Sequence, residues 1–132
     1  MPHVFFSSHK GAVEAPFFSN ATMGHLSLPA GIYTVSAKAW MQSQAGTGNS
    51  SVHCTLTVGA SSDQSQADAQ DGNAPNGPEP LRNEVLYLSV SGILAHPTVA
   101  KLTCRNFGGG FTVLKFTSIT AIKVSGLTKS TF

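Results

Sequence analysis

Charge is scarce in this sequence: Asp, Glu, Lys and Arg make up 11% of its 132 residues, where an ordinary soluble protein carries about 25%. The formal net charge is +2 and Lys and Arg never run together, so the electrostatic footprint of a nucleic-acid binder is missing. No apolar run approaches a membrane span. Windows with apolar residues at i, i+3, i+4 and i+7 are absent too, which removes helical folds from consideration. The five histidines, His3, His9, His25, His53 and His96, show no H-x-H or H-E-x-x-H spacing, so no metal site and no cofactor is expected. No G-x-S-x-G elbow occurs, and the six carboxylates offer no general acid and base pair. The expectation is a protein that is not an enzyme.

Ser, Thr, Gly, Ala and Asn fill the space that charge leaves, as in all-β extracellular or particle-bound modules. A chain of this length fits one domain. Alternating segments read as strands over Val4 to Ser7, Gly24 to Leu28, Ile32 to Met41, Val52 to Val58, Glu84 to Ala95, Thr98 to Arg105, Phe111 to Phe116 and Ser118 to Val124. About eight antiparallel strands describe an all-β sandwich, and a jelly roll in particular. "LPAG", Leu28 to Gly31, is a turn. Pro97 ends a long strand, and "NFGGGF", Asn106 to Phe111, is a loop tip. The longest irregular stretch runs from Ala60 to Pro80 and hides a candidate edge strand in "QSQADA". "DAQDGN", Asp68 to Asn73, is oxygen-rich but misses calcium-loop spacing, so a solvated loop is expected. "NAT" at Asn20 and "NSS" at Asn49 match the glycosylation sequon, a weak signal in a chain so rich in Ser and Thr.

Both cysteines lie on inward faces: Cys54 with Val52, Leu56 and Val58, and Cys104 with Ala100 and Leu102. On neighbouring strands, or facing across the core, they could form a disulfide suited to an oxidising destination. The alternative is two buried thiols packing as small hydrophobes.

Two features exceed what a two-layered sandwich can hide. Tyr33, Val35, Ala37, Ala39 and Met41 make one face of their strand apolar, yet the opposite, polar face presents Trp40, the single tryptophan. Val85 and Tyr87 fall on the minority face of theirs. In "FTVLKFTSITAIKV", Phe111 and Val113 share one face and Leu114 and Phe116 the other. Ile119 and Ile122 cannot both point inward without a bulge or a second buried face. Strands apolar on both sides are covered on both sides. Trp40, Val85, Tyr87, Phe111, Val113, Leu114 and Phe116 are therefore candidates for a subunit interface. For Trp40 a place in the core and a sugar-stacking platform remain alternatives. Near the start, Val4, Phe5, Phe6, Phe17 and Phe18 would make a sticky patch if free, so residues 1–24 read as a docking arm ahead of a sandwich domain at 25–132. "MPHVFFSSHKGAV" lacks the pattern of a secretory signal: the expectation is use without such export, or a signal already removed.

"LSLPAGIYTVSAKAWM", "VHCTLTVG", "LYLSVSGILAHPTVAKLTC" and "SITAIKVSGLT" together resemble the terminal jelly-roll domain of many hypothetical proteins of actinobacteria and their phages. That domain is similar to the tumour necrosis factor and complement globular-head group. The resemblance covers roughly Leu26 to Thr128. It implies a homotrimer packed around a threefold axis and a role in display or binding. The expected protein is a homotrimeric decoration protein on a phage or phage-like particle, partnered by itself and by a capsid or other particle protein, at a virion or extracellular surface. A carbohydrate- or cell-surface-binding module, with a surface glycan as partner, is the alternative.

Overall fold

In the computed structural model, residues 3–14, 21–43, 50–69, 82–107 and 112–125 are described. They form β1 (His3–Glu14), β2 (Ala21–Leu28), β3 (Gly31–Ser43), β4 (Ser50–Val58), β5 (Ser61–Ala69), β6 (Arg82–Leu94), β7 (Thr98–Asn106) and β8 (Thr112–Val124). The order is β1-β8-β3-β6 in one sheet and β2-β7-β4-β5 in the other, here the β3 sheet and the β4 sheet. Every pairing is antiparallel. The first strand pairs with the last, the second with the last but one, the third with the sixth, and the fourth with the fifth. The chain is doubled on itself and then rolled, which is the jelly roll.

The doubling turns at Gly59 and Ala60, between the paired residues Val58 and Ser61. Gly59 has φ 61°, a left-handed conformation that a side chain disfavours. "LPAG" turns a different corner, carrying the chain from the β4 sheet at Leu28 to the β3 sheet at Gly31. Buried Tyr33 fixes that corner, its hydroxyl donating to the Pro29 carbonyl at 2.8 Å. Burial raises the phenol's pKa above its ordinary value, so the group stays protonated and able to donate.

Alternation places the core. Tyr33, Val35, Ala37, Ala39 and Met41 of β3 are buried and face Val52, Cys54, Leu56 and Val58 of β4 and Ala100, Leu102 and Cys104 of β7. Leu86, Leu88 and Val90 of β6 complete the same layer. Bulges adjust two strands. At Met23 the β2 ladder slips one residue, and the Met23 carbonyl accepts a hydrogen bond from the buried Thr117 hydroxyl of β8 at 3.1 Å, joining the two sheets. In β8, Lys115 has no partner on β3: Trp40 pairs with Phe116 and Met41 with Leu114.

That bulge corrects the reading of the C-terminal strands. "TVLKFTSITAIKV" is one strand, not two, and Leu114 and Phe116 leave on opposite faces, because the extra residue reverses the alternation. Leu114 is 1% exposed and belongs to the core, so it is no interface residue. Ile119 points inward and Ile122 outward. At the other end, the expected boundary between residues 24 and 25 falls inside β2, and His3–Glu14 run as a strand against β8. Phe5 packs edge-on against Tyr33, ring centroids 6.0 Å apart, and joins the core instead of a docking patch. The expected edge strand in "QSQADA" is present as β5. Phe17, Phe18 and Phe111 lie outside the described residues.

Cys54 and Cys104 sit directly opposite each other on β4 and β7. They form a disulfide, with Cα atoms 4.1 Å apart and a sequence separation of 50. Closing a loop of that length is worth about 4 kcal/mol in the chain-entropy model. Replacing both cysteines with alanine should lower the urea midpoint by a corresponding amount, less any strain released. Reductant should bring the parent down towards the variant and leave the variant unmoved.

Candidate functional site

The outer faces of the two sheets differ in kind. On the β4 sheet the outward residues are mostly Thr, Ser, Gln, His, Lys and Arg. On the β3 sheet they are aromatic and aliphatic at both ends. Among the described residues the exposed large hydrophobics are Val4, Phe6, Trp40, Val85, Tyr87, Ile93, Val99, Phe107 and Ile122. All but Val99 and Phe107 belong to strands of the β3 sheet.

Register sorts these side chains into rows across the sheet. Val85, Trp40 and Phe116 stand side by side on β6, β3 and β8. The next row holds Tyr87, Lys38, Ser118 and Ser8, and the one after it Ser89, Ser36, Thr120 and Phe6. Then come Ser91, Thr34, Ile122 and Val4, and last Ile93, Ile32 and Val124. Two apolar bands therefore flank a band of hydroxyls. Lys38 is the charged side chain in that middle band, its Nζ 5.7 Å from the Tyr87 ring centroid, a cation–π distance. A shallow hollow of about 450 Å³ opens there, lined by Ser36, Lys38, Asp63, Tyr87, Ser89, Ser118 and Thr120 among others.

Trp40 is 40% exposed and stands on this outer face, which removes the core alternative. The two-residue alternation of β3 continues through it without a break; the register slip comes one step later, at Met41. Val85 and Tyr87 share the face, as the sequence suggested. Val4 and Phe6, read as part of an arm, stand on the same face through β1. Val113 pairs with Gln42 and Glu14 in register, and its side chain is outside what is described. Ile93 was not singled out from sequence, and Ile122 was singled out only as unable to point inward together with Ile119, although their spacing from Tyr87 and Phe116 by even numbers of residues could have placed both on this face.

The hollow's edge has a polar closure. Asp63 on β5 accepts a hydrogen bond from the Ser89 backbone N–H of β6 at 2.8 Å. β6 is an edge of the β3 sheet and β5 an edge of the other, so this contact occupies an edge donor and links the layers along their open side. No group of three or more His, Cys, Asp or Glu that could hold a metal occurs among the described residues.

No protein-family profile matches the sequence, and no curated protein matches it. Solved structures share its fold. The chain is similar to dimeric latent PorU from Porphyromonas gingivalis, with a TM-score of 0.59 at 11% identity over 92% of this chain and 13% of that one. It is similar to the Eiger TNF of S. frugiperda, with a TM-score of 0.53 at 12% identity over 98% and 96% of the two chains. A chain of infectious bursal disease virus, Gx strain, gives 0.58 at 13% identity over 96% of this chain and 33% of its own. The protein thus spans a small part of the PorU and viral chains and nearly all of the TNF. At these identities the likeness establishes a jelly-roll sandwich and nothing finer.

The burial pattern makes a direct test of the β8 bulge. Leu114→Ala should cost about 2–5 kcal/mol, as for other core leucines. Tyr87→Ser, at a position 66% exposed, should cost under about 1 kcal/mol. Urea unfolding of both variants, diluted until the chain does not associate, measures the contrast.

Proposed function

We propose that the protein is a non-enzymatic structural or display protein that assembles as a homotrimer through the outer face of its β3 sheet, and that it decorates a phage or phage-like particle. The observation that carries this reading is the segregation of exposed apolar side chains onto one sheet. Val4, Phe6, Trp40, Val85, Tyr87, Ile93 and Ile122 share a face, whereas scattered surface hydrophobics would need no explanation.

Magnitude supports an interface. Four strands about 4.8 Å apart, running some twelve residues at about 3.3 Å each, present a face on the order of 750 Å². Stable interfaces bury about 800 Å² per partner. Trp40 and Tyr87 are the side-chain types that most often dominate such contacts. The low charge of the chain leaves little repulsion between copies. The threefold arrangement follows from the resemblance to the tumour necrosis factor and complement group. The full-length likeness to the Eiger TNF and the likeness to a viral chain are in keeping with it. A sugar platform on Trp40 and Tyr87 would need the same face open, and one face cannot serve both uses in one assembly.

Sedimentation equilibrium should give the mass of three chains at micromolar concentration. Replacing Trp40 and Tyr87 together with glutamate should give a monomer with an unchanged far-ultraviolet spectrum. A parent protein that stays monomeric at that concentration removes the reading.

A further inference from the structure

We infer that the outer face of the β4 sheet is a docking surface for an acidic polysaccharide. This goes beyond the assembly described above and does not depend on it, because it uses the opposite sheet. The strand β7 turns Lys101, Thr103 and Arg105 outward. The two cations are four residues apart on an extended strand, about 13 Å. A histidine stands beside each, His25 of β2 opposite Lys101 and His53 of β4 opposite Arg105. Between the two pairs lie Thr103 and Thr55, opposite each other.

Arg105 is held in place by its neighbours. Its guanidinium carbon lies 3.9 Å from the Phe107 ring centroid, and the same ring lies 4.4 Å from that of His53. Stacking of this kind fixes the plane of the fork before any ligand arrives, so little side-chain entropy remains to be lost on binding.

All but one of the carboxylates that the register places lie elsewhere. Asp63, on the same sheet, turns to the Ser89 N–H of the other layer. Glu14 and Glu84 belong to strands of the β3 sheet. Asp68 is the exception: opposite Ser51 at the end of β5, it has the register of this outward face, one row beyond His53 and Arg105. The face therefore offers two positive charges, well separated, with threonine hydroxyls between them and an imidazole beside each, and a single carboxylate position at its corner.

Among polyanions that spacing selects. Duplex DNA carries a charge about every 1.7 Å along its axis and is held by dense Lys and Arg, and anionic membranes recruit clusters of about 4–8 basic residues. A carboxylated or sulphated polysaccharide carries its anions at intervals, with hydroxyls between. A cation, then threonine hydroxyls, then a cation along β7 complements that alternation.

Biolayer interferometry on immobilised heparin oligosaccharide, polygalacturonate, dextran and single-stranded DNA tests the assignment. Binding to one or both acidic polysaccharides is expected, weakening as salt rises, with none to dextran and at least about tenfold weaker binding to DNA. Lys101→Gln with Arg105→Gln should weaken binding by at least about tenfold, while Lys123→Gln on the opposite sheet leaves it unchanged. Exposed Lys101→Gln alone should give a smaller loss, which guards against misfolding of the double variant. Failure to bind either acidic polymer at low salt, equal binding to DNA, or an unaffected double variant overturns the inference. Sedimentation of the same samples keeps the two readings apart: a monomer that binds loses the assembly and keeps this surface, and a trimer that does not bind does the reverse.

Discussion

A two-layered sandwich has one interior, while each of its strands has two faces. The outward half of the strand positions must therefore be made fit for water or given another cover, and the period of two along each strand leaves no intermediate choice. This chain resolves the constraint differently on its two sheets. The β4 sheet carries mostly serine, threonine, glutamine, histidine, lysine and arginine outward, with Val99 an isolated exception, and these need no cover. The β3 sheet carries Val4, Phe6, Trp40, Val85, Tyr87, Ile93 and Ile122 outward, and water covers those poorly. The asymmetry between sheets, more than any single residue, points to function.

The doubled path of the chain lets the two sheets differ so cleanly. The inner hairpin of β4 and β5 and the nested pairs outside it commit each strand to one sheet. A polar or apolar outward pattern can then be set strand by strand. Three contacts hold the arrangement closed. The Cys54–Cys104 disulfide fixes β4 against β7 inside one sheet. Thr117 and the bulged Met23 join the layers at one side. Asp63 and the Ser89 N–H join them at the other. The last contact also blunts an edge strand that would otherwise offer a free donor to another chain. Pairing along that part of the β6 edge is thereby discouraged.

Most of the fold was legible because the inward residues of β3, β4 and β7 alternate without interruption, and alternation is a physical consequence of the pleat. Trp40 was legible as an outlier for the same reason. The errors cluster where one residue is inserted. Lys115 flips everything before it relative to everything after, so Leu114 looked like a partner of Phe116 when it belongs to the core. A bulge carries no composition of its own that would announce it, and Lys is an ordinary strand residue. Phe5 misled in another way: "VFF" reads as a sticky tail until β8 is known to pair with it and Tyr33 to meet the ring. The first fact depends on residues more than a hundred positions along the chain and the second on a strand two elements further on, both beyond any local window. β5 was half visible, since "QSQADA" alternates but has alanine as its only apolar residue type and lacks large apolar side chains. An edge strand with an open outer side can do without them.

The middle band of the β3 face limits what kind of interface it makes. Lys38 stands there among Ser36, Ser118, Thr120 and Ser89, its ammonium near the Tyr87 ring. Stripping water from an ammonium costs several kcal/mol unless charges or good acceptors replace it, and hydroxyl oxygens replace it only in part. A fully dry contact across this band would therefore be unfavourable, and copies meeting at a threefold axis would bring like charges together. The hollow of about 450 Å³ at the same place has room for the waters that would hydrate the ammonium. In the assembly proposed here the adhesive regions are the two apolar bands, while the centre stays wet, as many stable interfaces do. Substitutions at Trp40 or Ile122 should then weigh far more heavily on association than substitutions at Ser36 or Thr120, because only the former remove apolar area from water.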